Sequence, residues 1–186
     1  MKKLITVLLA GCSVFGIRTA DEPNYQVLND YGHIQIRHYP ALVVAQTEVN
    51  ADYKNSSSQG FQRLAGYIFG GNKKQQKIAM TAPVIQQKSG SVWLMAFVLP
   101  KGYSVSTAPV PLNPAVIIKE IPGKKVAVIR YSGRLSELGI EEKTEELKNW
   151  LTKQGYQAIS PSRSAAYDPP WTLPFLRRNE VHIDIE

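Results

Sequence analysis

The sequence predicts an α+β domain built from two similar strand–strand–helix–strand–strand halves. Two observations lead there. Paired runs of alternating, β-branched residues are each followed by one amphipathic helical stretch, and the same order of elements returns after a proline-rich segment at 107–114. A third concerns size: 186 residues, 44% hydrophobic and 20% charged, suit one well-packed domain better than two, or than a disordered chain.

In the first half, Ile34-Gln35-Ile36-Arg37-His38-Tyr39 alternates with the strand period, Pro40 interrupts it, and Leu42-Val43-Val44-Ala45-Gln46-Thr47-Glu48-Val49 resumes it. The simplest connection pairs these two runs as antiparallel neighbours. Asn55-Ser56-Ser57-Ser58 is rich in capping residues, and Phe61, Leu64, Ala65 and Ile68 follow at helical spacing before Gly70-Gly71. That is a helix of about four turns with one apolar stripe. Burying each large side chain of the stripe is worth about 1.5–3 kcal/mol, so it must face a sheet or a ligand. Strand signals come next at 78–84 and at Val92-Trp93-Leu94-Met95-Ala96-Phe97-Val98-Leu99.

The second half repeats the order. Ala115-Val116-Ile117-Ile118-Lys119-Glu120-Ile121-Pro122 leads into Lys125-Val126-Ala127-Val128-Ile129-Arg130-Tyr131, as the first run led into the second before. A helix then runs to about Gln154, with Leu147, Trp150 and Leu151 on one face, acids at its start and Lys153 before Gly155, a charge order that suits the helix dipole. Ser164-Ala165-Ala166-Tyr167-Asp168 and Glu180-Val181-His182-Ile183-Asp184-Ile185 are the last two strands.

The start of the chain is of another kind. Met1-Lys2-Lys3 before Leu4-Ile5-Thr6-Val7-Leu8-Leu9 has the form of an export signal, too short to span a bilayer. Leu9-Ala10-Gly11-Cys12 resembles the bacterial lipobox, which implies cleavage after residue 11 and lipidation of Cys12, the only cysteine. Several acyl chains there would hold the protein on a membrane without a spanning helix. Residues 1–11 are thus expected as a lipoprotein signal peptide, 12–24 as lipidated cysteine and polar tether, and 25–186 as the domain. Ser13 after the cysteine points to the outer membrane, facing the periplasm. Without Lys2 and Lys3 the net charge falls from +7 to +5, scattered, with no long basic tract or nucleic-acid module, which argues against nucleic acid as a partner. No phosphate loop, dinucleotide fingerprint, zinc motif, covalent haem attachment or nucleophile elbow is present, so enzyme readings start low.

Three runs carry a family resemblance: Ile36-Arg37-His38-Tyr39-Pro40; Gly66-Tyr67-Ile68-Phe69-Gly70-Gly71-Asn72 continuing into Lys77-Ile78-Ala79-Met80-Thr81-Ala82-Pro83-Val84; and Tyr167-Asp168-Pro169-Pro170-Trp171-Thr172-Leu173-Pro174-Phe175-Leu176-Arg177-Arg178-Asn179-Glu180-Val181. Together they resemble the SOUL haem-binding family over residues 25–186. The resemblance implies a distorted eight-stranded antiparallel barrel or sheet flanked by two helices, and a haem or related porphyrin as ligand, haem b held non-covalently.

It also implies a slot against the first helix, lined by Phe61, Leu64, Ala65 and Ile68, with Arg63 beside them as propionate partner. Spacing alone reads that stripe as core. His38 stands where some members are proposed to supply an axial iron ligand, although an ordinary half-buried histidine fits equally well. His33 and His182 lack motif support, and Met80 in an apolar run reads as core. The Arg177-Arg178-Asn179-Glu180 run reads as ties between a proline-fixed loop and its neighbouring strands. The expected function is a membrane-tethered, non-catalytic haem or tetrapyrrole carrier, buffer or sensor. A tetrapyrrole-processing enzyme using Glu180 or His38, and a binder of another apolar molecule, are the alternatives. Oligomeric state is left open.

Overall fold

The computed structural model describes residues 20–186; Cys12 and the expected signal peptide lie outside the described residues. Among the described residues, nine strands and two helices occur in the order β1 (Gln26–Tyr31), β2 (Ile34–Tyr39), β3 (Leu42–Val49), α1 (Tyr53–Ile68), β4 (Val84–Ser89), β5 (Val92–Val98), β6 (Val116–Ile121), β7 (Lys124–Tyr131), α2 (Glu137–Gln154), β8 (Arg163–Ala166) and β9 (Asn179–Asp184). A short 3-10 turn, Pro174–Leu176, precedes β9. All pairings between these strands are antiparallel, and they form one sheet in the order β1-β2-β7-β9-β8-β4-β5-β3-β6.

Exchanging β2 with β6, β3 with β7, β4 with β8 and β5 with β9 turns the last eight positions of that order into themselves reversed. The expected duplication is therefore present, with its pseudo-twofold between β4 and β8. The strand count is nine rather than eight because β1 pairs on the outer side of β2. Its polar sequence, Gln26-Val27-Leu28-Asn29-Asp30-Tyr31, is exposed throughout and shows no alternation.

Three further expectations are corrected. β2 and β3 do not pair with each other: β2 lies against β7 and β3 against β5 and β6, so Pro40 separates two strands at different places in the sheet. Residues 78–83 are irregular and end in a cis Ala82–Pro83 bond, and the strand begins only at Val84. The folded part starts before residue 25, since Ala20 packs beside Ala82, Ala165 and Tyr167, and Asp21 bridges to Thr81.

Each helix covers its own half. On α1, Asp52 is the N-cap, accepting from the Asn55 N–H, so the serines expected as caps lie inside the helix, within its first two turns. Leu64, Tyr67 and Ile68 pack on Ala45, Met95, Phe97 and Val116 of β3, β5 and β6. On α2, Ser136 caps the start and Gly155, at φ 75°, the end. Ile140, Leu147 and Leu151 pack on Ile34, Ile36, Ala127, Ile129, Val181 and Ile183.

Both helices lie on one face of the sheet. The other face is buried as well, because the sheet curls around it into a half-barrel. Tyr39 of β2 and Ile121 of β6, from near opposite ends of the strand order, line the same interior cavity. No described helix is long and apolar enough to cross a membrane.

Candidate functional site

Alternation puts Gln35, Arg37 and Tyr39 of β2 and Glu180, His182 and Asp184 of β9 on the inner face of the half-barrel. All six are buried, and Glu180 is their hub. Its Oε2 accepts from Arg37 Nη1 at 2.9 Å, Tyr167 OH at 2.8 Å and His182 Nε2 at 2.8 Å. Its Oε1 accepts from Arg37 Nη2 at 3.1 Å and Arg178 Nε at 3.0 Å. Arg37 also donates to Tyr39 OH at 3.0 Å and to Gln35 Oε1 at 2.9 Å. Arg178 lies over the Tyr167 ring at 3.6 Å and donates from both terminal nitrogens to Glu22, at 3.2 and 2.9 Å.

Burial works against a charge on Glu180. Hydrogen bonds from His182 and Arg37, with the positive charge of Arg37, overcome it and hold the carboxyl well below the usual carboxylate range. Burial lowers His182, so the imidazole is neutral and gives its Nε2–H to Glu180. Burial likewise raises Tyr39 and Tyr167. This cluster ties β2 to β9 and to the loop between β8 and β9.

Beside it lies the interior cavity, walled by Leu42, Ile85, Val98 and Val126, with Arg163 and Asp184 at 2.6 Å on its polar side. Its volume of about 40 Å³ matches water rather than a macrocycle, whose pockets run to roughly 300–1,000 Å³. This cavity does not fit haem.

The first helix offers a different surface. Leu64 and Ile68 are sealed into the core, whereas Phe61 is 44% exposed, Ala65 partly exposed and Phe69, just past the helix, 66% exposed. At i, i+4 and i+8 these three form an outward apolar stripe. The Phe61 ring rests edge-on against Phe97 at 5.4 Å, which holds it in place. Arg63 donates to the Glu48 carbonyl at 2.8 Å, leaving further guanidinium N–H groups for an anion. Two residues from Phe61 and from Ala65, Arg63 lies on the other flank of the helix from this stripe, toward β3.

His38 is exposed on β2, level with Gln26 and Lys125, while α1 packs at the far end of the strand order. The structure brings Phe61, Arg63, Leu64, Ala65 and Ile68 together on one helix and leaves His38 apart from them. His33 is exposed and meets Glu146 at 3.2 Å, and Met80 is 36% exposed rather than core. Among the described residues no cluster of His, Cys, Asp and Glu has the arrangement of a metal site.

A duplicated, antiparallel half-barrel with one helix per half and an ionic hub tying its last loop defines a class of small α+β domains. Residues 20–184 match the family described as SOUL heme-binding protein, and the chain belongs to that family. It is 31% identical to "Heme-binding protein 2" of Homo sapiens over 159 residues, 81% of this chain and 77% of that one, and 30% identical to the Mus musculus protein of the same name. Among solved structures, the C-terminal domain of EcmrR aligns with a TM-score of 0.65 at 12% identity, covering 87% of this chain and 98% of that one. An uncharacterized conserved protein from Listeria innocua aligns at 0.62 and 9% identity, covering 82% and 92%. Those two likenesses are of fold alone.

Proposed function

We propose that this chain is a haem or tetrapyrrole carrier, buffer or sensor, tethered to a bacterial membrane through Cys12 and working without catalysis. Membership of a haem-binding family and two relatives named for haem binding support the ligand class. The observation that carries the seat is the outward stripe Phe61, Ala65 and Phe69, with the Phe61 ring held against Phe97; Arg63, on the other flank of the helix, is a propionate partner only by the family resemblance. Haem b, bound non-covalently, lies across that stripe, while Leu64 and Ile68 stay packed in the core. His38 is proposed as iron ligand from its motif position, and it is tested separately because it sits on another element. The sequence of residues 4–12 supports export and the lipid anchor, and Ser13 supports the periplasmic face of the outer membrane.

The test is a haemin titration of residues 20–186, read in the Soret band, on the parent protein and on Ala65→Glu and His38→Ala. A saturable band at one haemin per chain, weakened at least about tenfold by Ala65→Glu, is the result expected for the α1 seat. A band lost only in His38→Ala moves the seat to β2. No saturable band in the parent overturns the haem reading.

A further inference from the structure

Between Ala166 and Asn179 the chain forms a loop that presents apolar side chains outward. Trp171 is 63% exposed, Leu173 39% and Phe175 70%. The loop is braced: Arg177 donates through Nε to the Thr172 carbonyl at 2.7 Å and through Nη2 to that of Pro170, the Gly133 N–H reaches the Pro174 carbonyl at 2.8 Å, and Asp168 accepts from the Arg178 N–H at 2.7 Å. Three large apolar side chains on a braced loop form a standing surface.

Cations surround it. A cleft of about 350 Å³ beside the loop is lined by Gly32, His33, Arg130, Tyr131, Arg177 and Arg178. The bond from Gly133 also brings the exposed Arg134 next to the turn. Arg178 is balanced by Glu22 and Glu180, but among the described residues Arg177 and Arg134 have no carboxylate within ion-pair distance. Aromatic and leucine side chains rimmed by arginines match the chemistry of an anionic bilayer surface, where rings settle at headgroup depth and guanidinium groups meet phosphates.

The course of the chain favours the same occupant. Ala20 packs on Tyr167 and Glu22 pairs with Arg178, so the N-terminal segment meets the domain at the two ends of this loop. Eight residue steps separate Ala20 from Cys12, about 28 Å at full extension. An acyl group on Cys12 keeps the loop within that distance of the membrane.

We infer that the Trp171–Leu173–Phe175 loop, with Arg134 and Arg177, is a second membrane contact that seats the domain on anionic phospholipid and fixes its orientation. The argument from chain course rests on the lipid-anchor reading proposed above; the surface chemistry does not.

The test uses residues 20–186, which contain every contact described and the whole family match. The protein is sedimented with phosphatidylcholine vesicles, with and without phosphatidylglycerol, and tryptophan quenching by brominated acyl chains is read in parallel. The expected result is partition onto the anionic vesicles, weakened by salt, quenched, and reduced at least about tenfold in Trp171→Ser/Phe175→Ser. The equally exposed pair Val110→Ser/Leu112→Ser leaves it unchanged. Circular dichroism establishes that both double variants are folded. Failure to partition, or equal partition of both double variants, overturns the inference. So does a dimer, seen by sedimentation velocity, that the loop variant abolishes without any vesicle binding. Labelled fatty acid that fails to enter Cys12 in cells sinks the anchor reading alone and leaves the vesicle result standing.

Discussion

Replacing Glu180 with glutamine preserves the side chain's shape and removes its charge. Glu180 and Arg37 are both fully buried, joined at 2.9 and 3.1 Å. Removing one partner of such a pair costs about 3–5 kcal/mol, because the other charge stays buried without compensation. The upper part of that range applies here. A carboxylate accepts from Arg37, Arg178, Tyr167 and His182 together, whereas an amide turns one of its two oxygen positions into an N–H₂ facing donors. A domain of this size loses roughly 2–4 °C of Tm per kcal/mol, so Glu180→Gln is expected to melt roughly 8–20 °C lower. The assay is urea unfolding followed by far-UV circular dichroism, with the slope compared between proteins to establish that the transition is unchanged in kind. Lys148→Ala is the control: its bond to Glu145 joins two exposed side chains, and its loss is expected to cost below about 0.5 kcal/mol. A loss under about 1 kcal/mol for Glu180→Gln would refute the view that this carboxylate anchors β2 to β9 and the loop before it.

Acid is expected to destabilise the fold in two steps of the same sign. His182 has a lowered pKa in the fold, so from about pH 6.5 downward the unfolded chain takes up a proton that the folded one refuses. Glu180, also lowered, contributes stability that is complete above the ordinary carboxylate pKa and is lost as pH falls toward its folded value. Tm measured from pH 7.5 to 2.5 should therefore fall steadily; a flat profile between 6.5 and 4.5 would contradict the His182 assignment, and a flat one below 4.5 the Glu180 assignment. Gly71→Ala places a Cβ 2.6 Å from the Gly66 carbonyl oxygen, and about 1–3 kcal/mol of stability should be lost by urea titration. Leu147→Ala in the α2 core should cost about 2–5 kcal/mol in the same assay, against under about 0.5 for Leu138→Ala, which is 68% exposed.

Element existence was legible wherever periodicity was strong. Alternation located β2, β3, β7 and β9, and Leu147, Trp150, Leu151 and Gly155 outlined α2. β1 was invisible because an edge strand exposed on both faces needs no alternation. Pairing was harder still, since nearness in sequence suggested a β2–β3 hairpin while both strands take partners from the other half. At the site, the same alternation that marked the strands concealed the hub. Gln35, Arg37 and Tyr39 look like a solvent face, as do Glu180, His182 and Asp184, and only the curl of the sheet turns them inward. Arg37 within an apolar strand and the Arg178–Glu180 spacing were the available signs. The first-helix stripe was readable as a set, but spacing could not divide Leu64 and Ile68, which face the core, from Phe61 and Ala65, which face out.

The strand order has a meaning beyond symmetry. β2 belongs to the first half by sequence yet borders β7, and β6 belongs to the second yet borders β3, so each half lends an edge strand to the other. This is the geometry of a strand-swapped dimer joined into one chain, with residues 107–114 as the join. Neither half can complete its own sheet. During synthesis β2 must wait until β7, some ninety residues later, has emerged, which ties folding to completion of the second half. It also means that two fragments separated within 107–114 should reassemble with each other more readily than either folds alone.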